Sequence, residues 1–223
     1  MTANRGLARC RFFFAALCLL ALVVQYTSNA LTIENYRSLN FFSFFTVESN
    51  ILATATFAVA GWYAWQGTNS RWLELLRGAA VMYMTVTGIT YSLLLSDIEV
   101  DTAIGWVNVV LHYTMPTVIV IDWLVDLPRT RITLKESLIW LAFPLAYLVY
   151  SLIRGPIADW YPYPFLDPRI SGYGQVAVMS LVIAVLAFAL AVIIALSTKL
   201  QNTVPHPATA PATGRRKVTS EKA

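Results

Sequence analysis

The stretch YGQVAVMSLVIAVLAFALAVIIALST, residues 173–198, contains no charged side chain. It exceeds the roughly 20 mostly apolar residues that an α-helix needs to cross the hydrocarbon of a bilayer. It lacks the alternation of apolar and polar residues that is typical of a membrane β-strand. Similar stretches precede it, so we predict an all-α, polytopic membrane protein, a bundle of six transmembrane helices. The predicted spans are residues 11–28, 40–66, 77–96, 103–126, 136–153 and 173–198.

The composition of the 223-residue chain also indicates a lipid environment. Hydrophobic residues make up 57% of the chain and charged residues only 13%, whereas soluble domains carry about 25% charged residues. The two cysteines, Cys10 and Cys18, offer neither a disulfide framework nor the spacing of metal ligands. No basic patch is interleaved with exposed aromatic residues, which argues against nucleic-acid binding. We therefore expect no metal and no cofactor.

Lysine and arginine residues are distributed unevenly between the two sides of the predicted bundle. One side carries only Arg37, Arg154 and Arg169. Short segments rich in Lys and Arg remain in the cytoplasm, so we predict that both chain termini are cytoplasmic. The residues on the predicted cytoplasmic side are Arg5, Arg9, Arg11, Arg71, Arg77, Arg129, Arg131, Lys135, Lys199, Arg215, Arg216, Lys217 and Lys222.

The chain divides into a cytoplasmic N-terminal arm (1–10), the six-helix transmembrane domain (11–198) and a basic cytoplasmic tail (199–223). The tail has no apolar periodicity, and we expect it to be disordered. An acidic turn at 97–101 separates spans three and four. Residues 5–30 also resemble a cleavable signal peptide, in which an apolar run follows basic residues. Retention and removal of the first span are both compatible with the charge pattern, and the uninterrupted apolar run favours retention.

Polar side chains inside spans two and four are candidates for function, because lipid tolerates such groups poorly. In span two, Ser43, Thr46 and Asn50 share one helix face, with Ser49 beside them. In span four, Asn108 precedes His112 by one turn. Pro116 follows His112 by one turn and removes the hydrogen bond to its carbonyl, which predicts a kink at the histidine. Span three carries Tyr83, Thr87 and Tyr91 at four-residue spacing.

Thr46 and His112 are predicted to lie at similar depths. At 1.5 Å per residue, they lie about 8 Å and about 13 Å from the outer ends of their spans. A neutral imidazole within hydrogen-bond reach can take the proton of a threonine hydroxyl and make it a nucleophile. Asn50, Asn108, Ser43 and Ser49 would then orient the imidazole or donate to an oxyanion.

Structural roles compete with each of these interpretations. Threonine and serine in membrane helices commonly bond to their own backbone or to a neighbouring helix, and the two asparagines serve equally well as interhelical ties. Glu48 is expected to face Arg37 or a wet cavity. Asp122 and Asp126 are too far along the span to orient His112, and we expect them to pair with Arg129 or Arg131.

The predicted external loop after span five reads WYPYPFLDP at residues 160–168. Its prolines prevent a continuous helix, and its aromatic residues suit the membrane interface. It therefore serves either as an interfacial anchor or as a lid, carried by Tyr161 and Tyr163, over the mouth of the bundle near Thr46 and His112.

These residues resemble the androgen-induced-gene family of multi-pass threonine hydrolases, in particular its bacterial six-helix members. The resemblance covers about residues 36–198 and rests on Phe45-Thr46 with Ser49-Asn50, on Asn108 with His112-Tyr113 and Pro116, and on the 161–165 loop. It implies a compact six-helix bundle that hydrolyses fatty acid esters, with Thr46 as nucleophile and His112 as base. No acidic residue lies at a depth suited to completing a triad.

The sequence thus predicts an intramembrane hydrolase of lipid esters in a cell membrane, with membrane lipids and a lipid ester as partners. The basic tail and the bacterial resemblance favour the bacterial plasma membrane. The alternatives are a lipid- or proton-coupled transporter, with His112 and Glu48 as titrating groups, and a non-catalytic membrane binding protein. The substrate and the oligomeric state stay open.

Overall fold

The computed structural model describes residues 3–96 and 104–200, and every regular element in these ranges is helical. The acidic turn predicted at 97–101 and the tail beyond residue 200 lie outside the described residues. The elements are α1 (Arg5–Thr32), α2 (Ser38–Phe42), α3 (Phe45–Gln66), α4 (Arg71–Thr90), a π-helical turn (Tyr91–Leu95), α5 (Gly105–Val109), a second π-helical turn (Val110–Thr114), α6 (Met115–Val125), α7 (Leu134–Ile139), α8 (Ala142–Ala158), a 3₁₀ turn (Pro164–Leu166) and α9 (Pro168–Ser197).

Within residues 3–96 and 104–200, five helical segments are long and apolar enough to cross a membrane. This confirms the prediction of an all-helical protein with several helices of that kind. The helix α3 is not among the five, although it has 22 residues. Glu48, Ser49 and Asn50 in its first turns reduce its hydropathy. The five segments are Arg5–Thr32, Arg71–Leu95, Gly105–Val125, Leu134–Ala158 and Pro168–Ser197.

The helix ends follow local sequence signals. α3 ends at Gly67, whose left-handed backbone (φ 69°) suits a residue without a Cβ atom. Thr133 and Glu136 form a capping box at the start of α7. Asp167 caps α9, and Pro168 occupies its first turn. α1 begins at Arg5, so the predicted N-terminal arm is largely helical and extends the first span.

The loops gather at two opposite ends of the helices. The segments 33–37 and 159–167 form what we call the loop end, where Arg37 donates a hydrogen bond to the Ala158 carbonyl. The segments 67–70, 126–133 and 198–200 form the arginine end, together with the start of α1. There Asn4 donates to the Ala64 carbonyl and Ile132 donates to Thr198. α4 lies centrally, packed against α3, α6 and α9.

A largely buried cluster of four charged residues, in which Asp126 is partly exposed, joins α1, α4 and α6 near the arginine end. Arg11 Nε lies 2.7 Å from Asp122 Oδ1, and Arg11 Nη2 lies 2.6 Å from Asp126 Oδ2. Arg77 Nη2 lies 2.9 Å from Asp122 Oδ2, and Arg77 Nη1 lies 3.2 Å from Asp126 Oδ2. Arg11 also donates to the Ala60 carbonyl of α3. We call these four residues the charge cluster.

The charge cluster corrects one expectation from the sequence. The prediction that Asp122 and Asp126 pair with Arg129 or Arg131 is wrong, because both carboxylates pair with Arg11 and Arg77. Arg11 and Arg77 are both buried within helices, in α1 and α4. The two positive and two negative charges balance, which makes their burial tolerable.

Removing Arg11 should leave the charge cluster with one uncompensated negative charge, because Arg77 alone then faces both carboxylates. Arg11→Met is therefore expected to destabilise the protein by about 3–5 kcal/mol, seen as a lower thermal unfolding temperature in detergent. The matched control is Arg9→Met, which removes an exposed charge from the same helix. The double variant Arg11→Met/Asp122→Leu restores the balance of charge and should recover part of the loss. Equal melting of the Arg11 and Arg9 variants would contradict a stabilising cluster.

Candidate functional site

Thr46 lies in the first turn of α3, at the loop end, and its side chain is buried. Its backbone N–H donates to the Tyr163 hydroxyl at 3.2 Å, and its Oγ1 lies 3.4 Å from the same hydroxyl. Tyr163 belongs to the loop between α8 and α9. The predicted lid residue Tyr163 therefore contacts the predicted nucleophile directly.

His112 lies in the π-helical turn between α5 and α6. Pro116 at the start of α6 has no backbone N–H for the carbonyl of His112, and the helix widens there instead of continuing as a regular α-helix. His112 Nδ1 lies 3.2 Å from the Asn108 carbonyl. A carbonyl only accepts, so Nδ1 carries the proton of the neutral ring and Nε2 keeps its lone pair.

Tyr91 and Asn108 hold the imidazole in place. The Tyr91 ring stacks on the His112 ring with 3.8 Å between centroids and 20° between planes. Asn108 Nδ2 donates to the Tyr91 hydroxyl at 2.6 Å. Tyr91 itself begins the π-helical turn that ends the α4 segment. The two stacked rings, Tyr91 and His112, thus each lie in a π-helical turn, and such turns are frequent at functional sites.

Asn50 has a purely connecting role in this structure. Its Nδ2 donates to the Thr46 carbonyl at 2.8 Å and to the Leu111 carbonyl at 3.2 Å. The Cys18 thiol of α1 lies 3.2 Å from Asn50 Oδ1. Both amide hydrogens are used, so Asn50 acts as the interhelical tie, one of its two predicted roles. It joins α1, α3 and the π turn of His112.

The other predicted supporting residues lie apart from the imidazole. The Ser43 hydroxyl bonds to the Leu39 carbonyl and to the Tyr150 hydroxyl of α8. Ser49 is fully buried, and its hydroxyl has no partner among residues 3–96 and 104–200. Tyr161 packs on Gly155 of α8, where an added Cβ would lie 2.0 Å from the ring. Tyr161 therefore anchors the loop, while Tyr163 reaches the site.

The sequence predicted that Glu48 faces either Arg37 or a wet cavity. In the structure Glu48 does not pair with Arg37. Arg37 bonds instead to the Ala158 carbonyl. Glu48 is partly buried in the first turn of α3, without an ion-pair partner among the described residues.

Thr46 and His112 line one small cavity of about 60 Å³. Within the described part of the chain they form no hydrogen bond with each other; Thr46 Oγ1 contacts Tyr163, and His112 Nδ1 contacts Asn108. The volume is sufficient for water, and His112, Thr46, Gln25 and Asn29 supply polar partners for it in an otherwise mostly apolar wall. Its lining residues are Gln25, Asn29, Phe41, Phe44, Thr46, Val47, Tyr91, Leu95, Leu111, His112 and Tyr163.

Gln25 and Asn29 of α1 are site residues that the sequence analysis missed. Gln25 Nε2 donates to Asn29 Oδ1 at 2.8 Å, and Gln25 Oε1 is buried without a partner in the described chain. Their four-residue spacing inside an apolar span was a usable signal, because it places two amides on one helix face.

A second, larger cavity of about 440 Å³ lies on the other side of Thr46, among α3, α4, α7, α8 and α9. We call it the apolar cavity, since Leu, Ile, Val, Phe and Ala side chains form most of its wall. Thr46, Tyr91 and Tyr163 line both cavities. The hydroxyls of Thr87, Thr90 and Ser180 also belong to its lining residues and have no partner among the described residues.

The loop that carries Tyr163 is fixed by charge and by aromatic contacts. Tyr163 stacks on Phe165 at 5.1 Å and meets Phe44 edge-on at 5.7 Å. Burial raises the pKa of the Tyr163 phenol, so the group stays protonated and keeps a hydrogen to donate. The Arg169 guanidinium holds the pKa of Asp167 below its ordinary value, which keeps the ion pair that closes the loop charged.

No known protein family, curated protein or solved structure matches this chain. The arrangement of the site therefore has to carry the functional argument by itself.

The contact between Gly155 and Tyr161 can be tested by filling it. Gly155→Ala places a methyl group inside the Tyr161 ring and should cost about 1–3 kcal/mol by overpacking, lowering the unfolding temperature. Gly155→Ala/Tyr161→Ala removes the clash and should melt closer to Tyr161→Ala alone. Gly174→Ala is the control, because nothing lies within 4 Å of its added Cβ. A Gly155→Ala protein as stable as this control would contradict the packing.

Proposed function

We propose that this protein is a multi-pass membrane hydrolase of lipid esters, with Thr46 as nucleophile and His112 as base. The observation that carries the proposal is the position of Thr46 between two cavities. On one side lies the apolar cavity, whose wall suits an acyl chain. On the other lies the small cavity that His112 lines together with Gln25 and Asn29. An ester carbonyl at Thr46 would have its chain in an apolar space and a base and water within reach.

In the proposed reaction the Thr46 side chain turns from Tyr163 towards His112 when an ester enters. Catalytic hydrogen bonds are often long or poorly aligned in ligand-free enzymes and tighten in the substrate complex. His112 Nε2 takes the hydroxyl proton as Oγ1 bonds to the ester carbonyl carbon. The ester C–O bond breaks, and the leaving alcohol receives that proton. Water then attacks the acyl-threonine, gives a proton to His112, and releases the fatty acid while the Thr46 hydroxyl is restored.

Two groups at Thr46 are suited to stabilising the negative charge that develops on the carbonyl oxygen. The Tyr163 hydroxyl and the Thr46 backbone N–H are both donors, and they lie 3.2 Å apart in the unliganded site. Substrate entry would redirect them from each other towards the oxyanion. Asn50 is not proposed for this role, because its amide hydrogens hold two backbone carbonyls.

The proposal is tested by covalent labelling with a fluorophosphonate probe. The purified protein should react, and Thr46→Ala and His112→Ala should each abolish the reaction. Thr46→Ser, which keeps the hydroxyl, should retain labelling. The matched control is Ser43→Ala, which removes a hydroxyl that bonds to Leu39 and Tyr150. Mass spectrometry should find the adduct on Thr46, and labelling that survives both alanine variants would rule out the dyad.

The alternative function is a lipid- or proton-coupled transporter or a non-catalytic lipid-binding protein. Two observations favour it: Thr46 and His112 are not hydrogen-bonded to each other, and Glu48 is partly buried without an ion-pair partner among the described residues. Reconstituted liposomes separate the two functions, since a transporter moves lipid or protons without any ester turnover.

We further propose six spans with both termini in the cytoplasm, α3 being the second span. Support comes from its length of 22 residues and its packing between α1 and α4. The positive charges that gather at the arginine end favour placing that end in the cytoplasm.

Cysteine accessibility tests this topology across α3. In a Cys10→Ser/Cys18→Ala background, Asn35→Cys lies before α3 and Thr68→Cys lies after it. A membrane-impermeant maleimide should label position 35 in intact cells or spheroplasts and position 68 only after permeabilisation. The same label at both positions in intact cells would mean that α3 does not cross the membrane.

A further inference from the structure

A second polar site lies at the arginine end, far from Thr46. A cavity of about 350 Å³ opens there among the start of α1, the end of α3, the start of α4 and the end of α6. Its lining includes Arg5, Arg11, Arg77, Arg129 and Asp126. We call it the arginine pocket. It lies beside the last turns of α3, whereas Thr46 lies in the first turn, about 20–30 Å away at 1.5 Å per residue.

The charges of the arginine pocket do not balance. Arg11 and Arg77 are neutralised within the charge cluster by Asp122 and Asp126. Arg5 and Arg129 have no carboxylate within 4.0 Å in the part of the chain that the structure describes. Two positive charges on the wall are therefore available to a ligand.

The Arg5 guanidinium is also held in a useful position. It lies over the Trp65 ring, 5.4 Å from the centroid. Such stacking occupies the face of the guanidinium and leaves its N–H edge free to donate. On the other side of the pocket, the Arg129 backbone N–H donates to the buried Glu74 carboxylate at 2.7 Å, which fixes the segment that carries Arg129.

We propose that the arginine pocket binds a phosphate dianion, either free or as a terminal phosphomonoester. Arg5 and Arg129, which lack counterions, match the two negative charges of a phosphate dianion. A ligand with a single carboxylate would neutralise only one of the two arginines. Guanidinium groups bind phosphate oxygens in a fork of two hydrogen bonds. Arg11 and Arg77 form the floor of the pocket, and their pairing with Asp122 and Asp126 fixes its shape.

The phosphate dianion has two possible sources. The arginine end is where lipid headgroups would lie if the helices cross a membrane, so the group belongs either to an anionic lipid such as phosphatidic acid or to free phosphate. This inference is independent of the proposed hydrolase chemistry, because it involves neither Thr46 nor His112.

The test uses the full chain purified in detergent and in nanodiscs. Inorganic phosphate is titrated against the detergent sample at constant ionic strength, with the unfolding temperature as the readout. Nanodiscs of phosphatidylcholine, with or without phosphatidic acid, provide the lipid arm. The pocket variant is Arg5→Gln/Arg129→Gln. The matched control is Arg9→Gln/Lys135→Gln, which removes two exposed charges that do not line the pocket.

The pocket variant should weaken binding about tenfold or more, as expected for the loss of charge-assisted hydrogen bonds. The control should change binding less than about twofold, because exposed charges act only through a screened field. Stabilisation by inorganic phosphate identifies free phosphate as a sufficient ligand, and stabilisation by phosphatidic acid alone identifies the headgroup. No stabilisation by either ligand, or equal weakening by the two double variants, would overturn the proposal.

Discussion

The candidate site depends on the hydrogen bonds of the Asn50 side-chain amide. One side chain, fully buried, donates to the Thr46 carbonyl and to the Leu111 carbonyl and accepts from Cys18. In an apolar interior an unpaired amide is costly, so the helices that satisfy it must keep their register. The register places Thr46 and His112 on one cavity. The same bonds exclude Asn50 from chemistry, since no hydrogen is left to donate.

A comparable argument applies to the arginine end. The charge cluster joins α1, α4 and the end of α6, and its buried members Arg11, Arg77 and Asp122 are tolerable in the interior only with their partners. α1 is therefore held in the bundle by ion pairs as well as by apolar packing. Its polar residues serve both ends, with Arg11 in the charge cluster and Gln25 and Asn29 on the small cavity. The bundle is bound together by polar contacts at two levels, with apolar packing between them.

The sequence predicted the helices and much of the site because those features depend on local patterns. Apolar runs define the helices, Pro116 predicts the disturbance at His112, and similar depths predict that Thr46 and His112 lie near each other; in the structure the two line one cavity. The π turn at Tyr91 has no such signal, because no proline or glycine lies inside Tyr91–Leu95.

The partners of Asp122 and Asp126 were mispredicted for a related reason. Arg129 and Arg131 are near in sequence, but Arg11 and Arg77 are near only after three helices have packed. Sequence spacing reports neighbours along one helix, and the ion pairs here are between helices.

The position of Thr46 also explains why an isolated dyad would be an incomplete description of the site. A hydroxyl in the apolar cavity alone would have no base, and one in the small cavity alone would have no room for an acyl chain. Thr46, Tyr91, Leu95 and Tyr163 line both spaces, so a single layer of side chains separates the apolar cavity from the cavity of the imidazole. In the unliganded state the Tyr163 hydroxyl occupies the donors and acceptors of Thr46. In the proposed mechanism, an ester that displaces this contact frees the Thr46 hydroxyl for His112 and the Tyr163 hydroxyl for the carbonyl oxygen in one step, so that activation of the proposed nucleophile would depend on occupancy of the apolar cavity.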